Sequence, residues 1–301
     1  MSPASTLVRS LADQLSSGGF AAGWRAVRLL PDPVARGVFT AAADLAAARG
    51  GPGADRLRRN LERVSPGQDL LRSALRSYAR YWCEAFRLPT ISADRLRAGT
   101  VTEGEAGFRA SVARGRGTIL ALPHSGNWDA AGAWLVATGV PFTTVAERLK
   151  PESLYERFVA FREGLGMEVL ALTGGERPPF DVLRERLEAG RTVCLLADRD
   201  LTPRGVDVTF FGAAARMPAG PARLALDTGA DLIPCVLSFT ERGWRISFAD
   251  PVPHTDLTTM TQAVAAAFES GIASHPGDWH MLQTLWLDDL PDGDPRKAVP
   301  S

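Results

Sequence analysis

The chain has 301 residues, 45% of them apolar and 23% charged, and its 34 Lys+Arg balance 34 Asp+Glu to a formal net charge of zero. That composition is ordinary for a globular protein and long enough for one large α/β domain or two small ones. The charge balance argues against a nucleic-acid binder, which carries a basic excess. No apolar run reaches the roughly 18–20 residues needed to cross a bilayer, so any work on lipid is expected from its surface.

Residues 1 to about 90 read as helical. Leu7, Leu11 and Leu15 recur every four residues, and Phe20, Trp24, Val27 and Leu30 follow with Arg25 and Arg28 between them. Apolar residues at that period, interleaved with arginine, make an amphipathic helix suited to a membrane surface or to packing on the rest of the protein. Pro31 and Pro33 interrupt it, and helices are expected over Val34–Arg49, Ala54–Val64 and Gln68–Phe86, with Gly50-Gly51-Pro52-Gly53 as a loop.

The texture changes near residue 117. Thr118–Leu122, Phe142–Val145, Glu168–Leu172, Thr192–Leu196, Leu232–Phe239 and Trp244–Phe248 read as strands. Helical patterns lie over Asp129–Ala137, Pro151–Leu165, Pro179–Ala189, Ala219–Thr228 and Met260–Ser274. The alternation predicts an α/β fold with a mixed, largely parallel sheet flanked by helices. One domain is expected over 1–290, with a helical, membrane-facing part at 1–90, an α/β core at 100–290 and a flexible tail from Pro291. Cys83, Cys194 and Cys235 are odd in number and widely spaced, which disfavours a disulfide framework; with no signal-peptide pattern, a reducing compartment is expected.

The most informative stretch is Leu122-Pro123-His124-Ser125-Gly126-Asn127-Trp128-Asp129. A strand ends at Leu122 and a helix starts near Asn127 or Asp129, so His124 sits where open α/β sheets bind ligands. Asp129, in or near the first helical turn, is able to fold back onto the imidazole, fix its tautomer and leave the other nitrogen as a base. Backbone N–H groups of Ser125–Trp128 and the Asn127 amide are candidate donors to an oxyanion. His254, His275 and His280 show no zinc-like spacing, and no metal or cofactor is expected.

The run His124-x4-Asp129 resembles the signature of the glycerolipid acyltransferase superfamily, and its fuller form, HSGNWD, resembles the lipid A late acyltransferase branch. Further stretches carry the likeness: Ala146-Glu147-Arg148-Leu149; Ala197-Asp198-Arg199-Asp200-Leu201 with Phe210-Phe211-Gly212; Arg216-Met217-Pro218-Ala219-Gly220-Pro221-Ala222; and Asp278-Trp279-His280-Met281-Leu282-Gln283. Within the branch, the chain is most similar, from about 5 to 290, to members that acylate a mannose hydroxyl on a glycosylated phosphatidylinositol.

The resemblance implies that His124 is a general base, with an acidic partner in the Asp198 segment. The related enzymes carry glutamate there, one methylene longer, so Asp129 and Asp198 both stand as candidates to orient the imidazole. It implies acyl transfer from acyl-CoA, or from acyl carrier protein, to a hydroxyl of the glycolipid, without a covalent enzyme intermediate. It also implies work on an anionic membrane at the cytoplasmic face of the plasma membrane, and contact of Glu147 with a sugar or polar headgroup. Glu147 and Arg148 follow a strand end and should face the ligand side of the sheet. Arg162, Arg199 and Arg216 are candidates to pair with phosphate. Met217 and Phe210-Phe211 fit an acyl groove or core packing equally. Alternative readings are an acyltransferase for a lysophospholipid or other glycolipid, a thioesterase, or a non-catalytic lipid-binding protein. The chain has no G-x-S-x-G elbow, P-loop or dinucleotide fingerprint.

Overall fold

A computed structural model describes residues 23–148, 150–200, 205–294 and 297. The expected helix over residues 1–30 therefore lies largely outside the described residues, as does most of the tail; residues 23–29 are helical. Three helices follow: α1 (Asp32–Arg49), α2 (Pro52–Val64) and α3 (Leu71–Arg87). Pro and Gly punctuate them as the sequence implies, with Pro52 in the first turn of α2, where its missing N–H costs nothing. Leu57, Leu61, Leu71 and Leu75 close a small core between them.

The rest is built on alternating elements: α4 (Ala93–Gly99), β1 (Thr100–Glu103), α5 (Glu105–Ala113), β2 (Thr118–Leu122), α6 (Trp128–Ala137), β3 (Phe142–Ala146), α7 (Glu152–Glu163), β4 (Glu168–Ala171), α8 (Pro179–Glu188), β5 (Thr192–Leu196), β6 (Val206–Phe210), β7 (Ala213–Met217), α9 (Gly220–Thr228), β8 (Asp231–Phe239), β9 (Trp244–Phe248) and α10 (Leu257–Ser274). Seven strands form one sheet in the order β1-β9-β8-β2-β5-β3-β4. Its neighbours are parallel except at β8–β9. The expected mixed, largely parallel sheet flanked by helices is thus present. The short β1 and the separate antiparallel hairpin β6–β7 were not expected from the sequence. TVTE is only four residues long and AAARM is dominated by alanine, so neither stands out from its surroundings, whereas VDVTF does carry the alternation of a strand.

β2 is buried at every position, and its side chains alternate between two cores. Ile119 and Ala121 face one, with Leu187, Leu224 and Phe268; Leu120 and Leu122 face the other, with Trp134, Phe142 and Ile246. A strand covered on both faces reads as the continuous apolar run seen in the sequence. Phe210 and Met217 belong to the first core and are fully buried, so of the two readings for these residues the packing one holds.

Candidate active site

β2 and β5 are adjacent and parallel, with Leu122 opposite Leu196. The ladder continues one step further, the Ala197 N–H donating to the Leu122 carbonyl at 2.8 Å. Two residues past each strand end, His124 and Asp198 therefore face one another. Asp198 Oδ1 lies 2.6 Å from His124 Nδ1, and Oδ2 accepts the His124 backbone N–H at 2.8 Å and the Trp279 Nε1–H at 3.0 Å. Asp198 is fully buried. Burial alone raises a carboxyl, but the charge and hydrogen bonds of His124, with the Trp279 N–H, hold Asp198 below the usual carboxylate range. An ionised carboxylate only accepts, so Nδ1 is the nitrogen that directs a proton to Asp198 and Nε2 is the one placed to act as a base. The His124 side chain keeps a quarter of its surface exposed.

Asp129 goes elsewhere. It lies in the first turn of α6, buried, and accepts Arg162 Nε–H at 2.7 Å and the Tyr81 hydroxyl at 2.9 Å. Its charge more than offsets the burial of Arg162, whose guanidinium is held above its normal range, and it joins burial in raising Tyr81 well above the normal phenol value. Of the two aspartates that the sequence offered to His124, Asp198 is the one in contact. Arg162, expected as a phosphate partner, is committed to Asp129.

The loop from 123 to 127 is clamped by the segment 278–280. Gly126 N–H donates to the Asp278 carbonyl (2.9 Å) and His280 N–H to the His124 carbonyl (2.8 Å). Gly126 has φ +55°, and a Cβ there would meet the Leu237 carbonyl carbon at 2.8 Å, so only glycine fits. Ser125 N–H is already bonded to the Pro123 carbonyl at 2.8 Å. That use of the Ser125 and Gly126 amides removes both from the expected oxyanion donors. The Ser77 hydroxyl donates to Asp278 Oδ1 (2.6 Å) and lies 3.0 Å from His280 Nε2. Burial, with His124 nearby, pushes the His280 imidazole down to about 3, so it stays neutral.

A cavity of about 540 Å³ opens beside His124. Leu172, Phe180, Leu183, Leu195 and Leu224 line its apolar part, and Glu147 and Arg199 its polar rim. Arg199 Nη2 donates to Glu147 at 3.2 Å, while its buried Nε–H has no partner. The other expected contacts are not on this cavity. Arg148 points outward to Glu152 and the Gly174 carbonyl. Arg216 is buried across the β6–β7 hairpin against Asp207, at 2.6 Å. Asn127 is buried, its oxygen capping α6 at Ala130 N–H (3.0 Å) and its nitrogen facing Glu84 (3.1 Å). Trp279, Tyr81 and Glu84 escaped the sequence reading as site residues. Trp279 lies in a stretch singled out by the resemblance, whereas nothing in the sequence marks Tyr81 or Glu84 from other residues of an amphipathic helix.

This geometry can be set beside the comparisons with known proteins. The model of the bacterial lipid A biosynthesis acyltransferases matches residues 9–288, and the chain belongs to that family. Among its relatives is the phosphatidylinositol mannoside acyltransferase of Mycolicibacterium smegmatis, 54% identical over 290 residues, 94% of this chain and 95% of the relative. The phosphatidylinositol mannoside acyltransferase of Mycobacterium tuberculosis is 51% identical over 298 residues, 96% of this chain and 92% of the relative.

Proposed function

We propose that the protein transfers a long-chain acyl group from acyl-CoA to a mannose hydroxyl of a phosphatidylinositol mannoside, with His124 as general base. The observation that carries this reading is the 2.6 Å contact of His124 Nδ1 with buried Asp198, beside an apolar cavity; the names of the relatives supply the acceptor class. In the reaction, Nε2 takes the proton of the acceptor hydroxyl as its oxygen attacks the thioester carbonyl. Asp198 supports the imidazolium that forms, and the proton then leaves with the thiol. Within the loop, the N–H groups of Asn127 and Trp128, at the positive end of α6, remain as candidate donors to the oxyanion. The unpartnered Arg199 Nε–H, with Glu147 beside it, suits a polar headgroup at the cavity rim.

The same reading puts the protein at a membrane surface. Among the described residues, no helix is long and apolar enough to cross a membrane. Four of their seven exposed large apolar side chains, Leu29, Val34, Val38 and Leu45, lie within 29–45, and two more, Leu172 and Leu196, line the cavity. Val34, Val38 and Leu45 share one stripe of α1, an apolar face fit for the headgroup boundary.

The test supplies palmitoyl-CoA with dimannosylated phosphatidylinositol, with lysophospholipids, or with water alone, and follows thiol release and product mass. Acylation of the mannoside, abolished in His124→Ala, is the expected result. Thiol release without acceptor points to a thioesterase, and a His124→Ala variant at near wild-type rate removes the general-base role. Co-sedimentation with anionic liposomes that is unchanged when Val34, Val38 and Leu45 become serine removes the role of the stripe.

A further inference from the structure

Glu84, on α3, is a buried carboxylate that the chemistry above leaves unused. Oε1 accepts Arg80 Nε–H at 2.7 Å and faces Arg36 of α1 at 3.5 Å. Oε2 accepts the Trp244 indole N–H at 2.7 Å, at the start of β9, and Asn127 Nδ2–H at 3.1 Å. An isolated buried carboxylate is costly, and donors from α1, α3, β9 and the catalytic loop converge to compensate it.

The consequence falls on Asn127. Its side-chain amide has two ends that differ only in chemistry: oxygen accepts, nitrogen donates. A carboxylate beside it accepts only, so the nitrogen must face Glu84 and the oxygen must face Ala130 N–H. Glu84 thus selects the amide orientation that caps α6. The cap, three residues after His124, fixes where α6 starts. It also fixes Trp128, whose ring lies 5.7 Å from the His124 ring, edge to face. We infer that Glu84 is a positioning residue for the His124 loop, acting through the amide of Asn127. This rests on the reading of His124 as the base, because a displaced loop matters to rate only if the loop carries the reacting group.

The test is a double-mutant cycle of Glu84→Gln and Asn127→Asp. Asn127→Asp keeps the α6 cap and every other contact of Glu84, but sets two carboxylates against each other. Each single variant is expected to lower kcat about tenfold with the acyl-CoA KM within about twofold, since a displaced loop costs turnover rather than donor binding. In the double variant the new amide donates to the new carboxylate, while the Trp244 indole N–H loses its acceptor, and part of the loss returns. A kcat for Glu84→Gln equal to wild type, or a double-variant loss equal to the product of the two single losses, overturns the inference. Amide hydrogen exchange over residues 125–130 gives a readout independent of turnover. Faster exchange in either single variant supports the inference, and unchanged exchange in Asn127→Asp overturns it even if Glu84→Gln fails to fold. Absence of acyl transfer in the wild type refutes the proposed function alone, and the exchange measurement still decides the role of Glu84.

Discussion

Replacing Asp198 with asparagine alters one functional group at a site where three N–H donors converge on two oxygens. An amide offers one oxygen, so at least one buried donor loses its acceptor, at a cost of about 1–3 kcal/mol in stability. The larger effect is on the tautomer. If the amide nitrogen faces His124 Nδ1, it donates a hydrogen bond there and moves the imidazole proton to Nε2, the atom that accepts the proton of the acyl acceptor in the proposed mechanism. If the oxygen faces Nδ1 instead, the tautomer survives but the imidazolium formed during transfer has lost its counter-charge in a dry site. Either way the loss in kcat is about 10³–10⁴-fold, on the order of 4–5 kcal/mol of barrier. Thiol release from palmitoyl-CoA in the presence of acceptor measures the rate, and urea unfolding measures the stability. A kcat within about tenfold of wild type in a folded variant refutes the tautomer argument.

Three further outcomes follow from the same geometry. Asp129→Asn leaves the Arg162 guanidinium without its buried counter-charge and should cost about 3–5 kcal/mol by urea unfolding; a loss below about 1 kcal/mol shows the pair to be dispensable. Gly126→Ala forces a Cβ against the Leu237–Ser238 backbone at φ +55°, and should cost about 3 kcal/mol or more, read as a lower Tm. The His280 imidazole is lowered on folding from 6.5 to about 3, so the folded state binds fewer protons than the unfolded one. Its contribution is therefore fully present above about 6.5 and is lost as the pH falls toward about 3, on the order of 4–5 kcal/mol in all. His280→Gln should flatten the stability profile between about pH 6.5 and 4.5, and an unchanged slope there removes the assignment.

Much of this protein was legible in its sequence. The strands at Thr118–Leu122, Thr192–Leu196 and Trp244–Phe248 have the bounds that their patterns indicate: the first, buried on both faces, reads as a continuous apolar run, and the last alternates buried and half-buried positions. The His124 loop was legible as well, since a histidine, a glycine and a helix-capping asparagine between a strand and a helix compress several chemical constraints into adjacent positions. Partnership between distant residues was not. His124 and Asp198 are 74 residues apart, and only the parallel register of β2 and β5 sets them opposite one another. Asp129, five residues from His124, was equally plausible on local grounds, but α6 turns it inward to Arg162 and Tyr81. Local pattern therefore determined most of the elements and the candidate base, whereas strand register and helix packing decided which carboxylate contacts His124 and which of the candidate arginines lines the cavity.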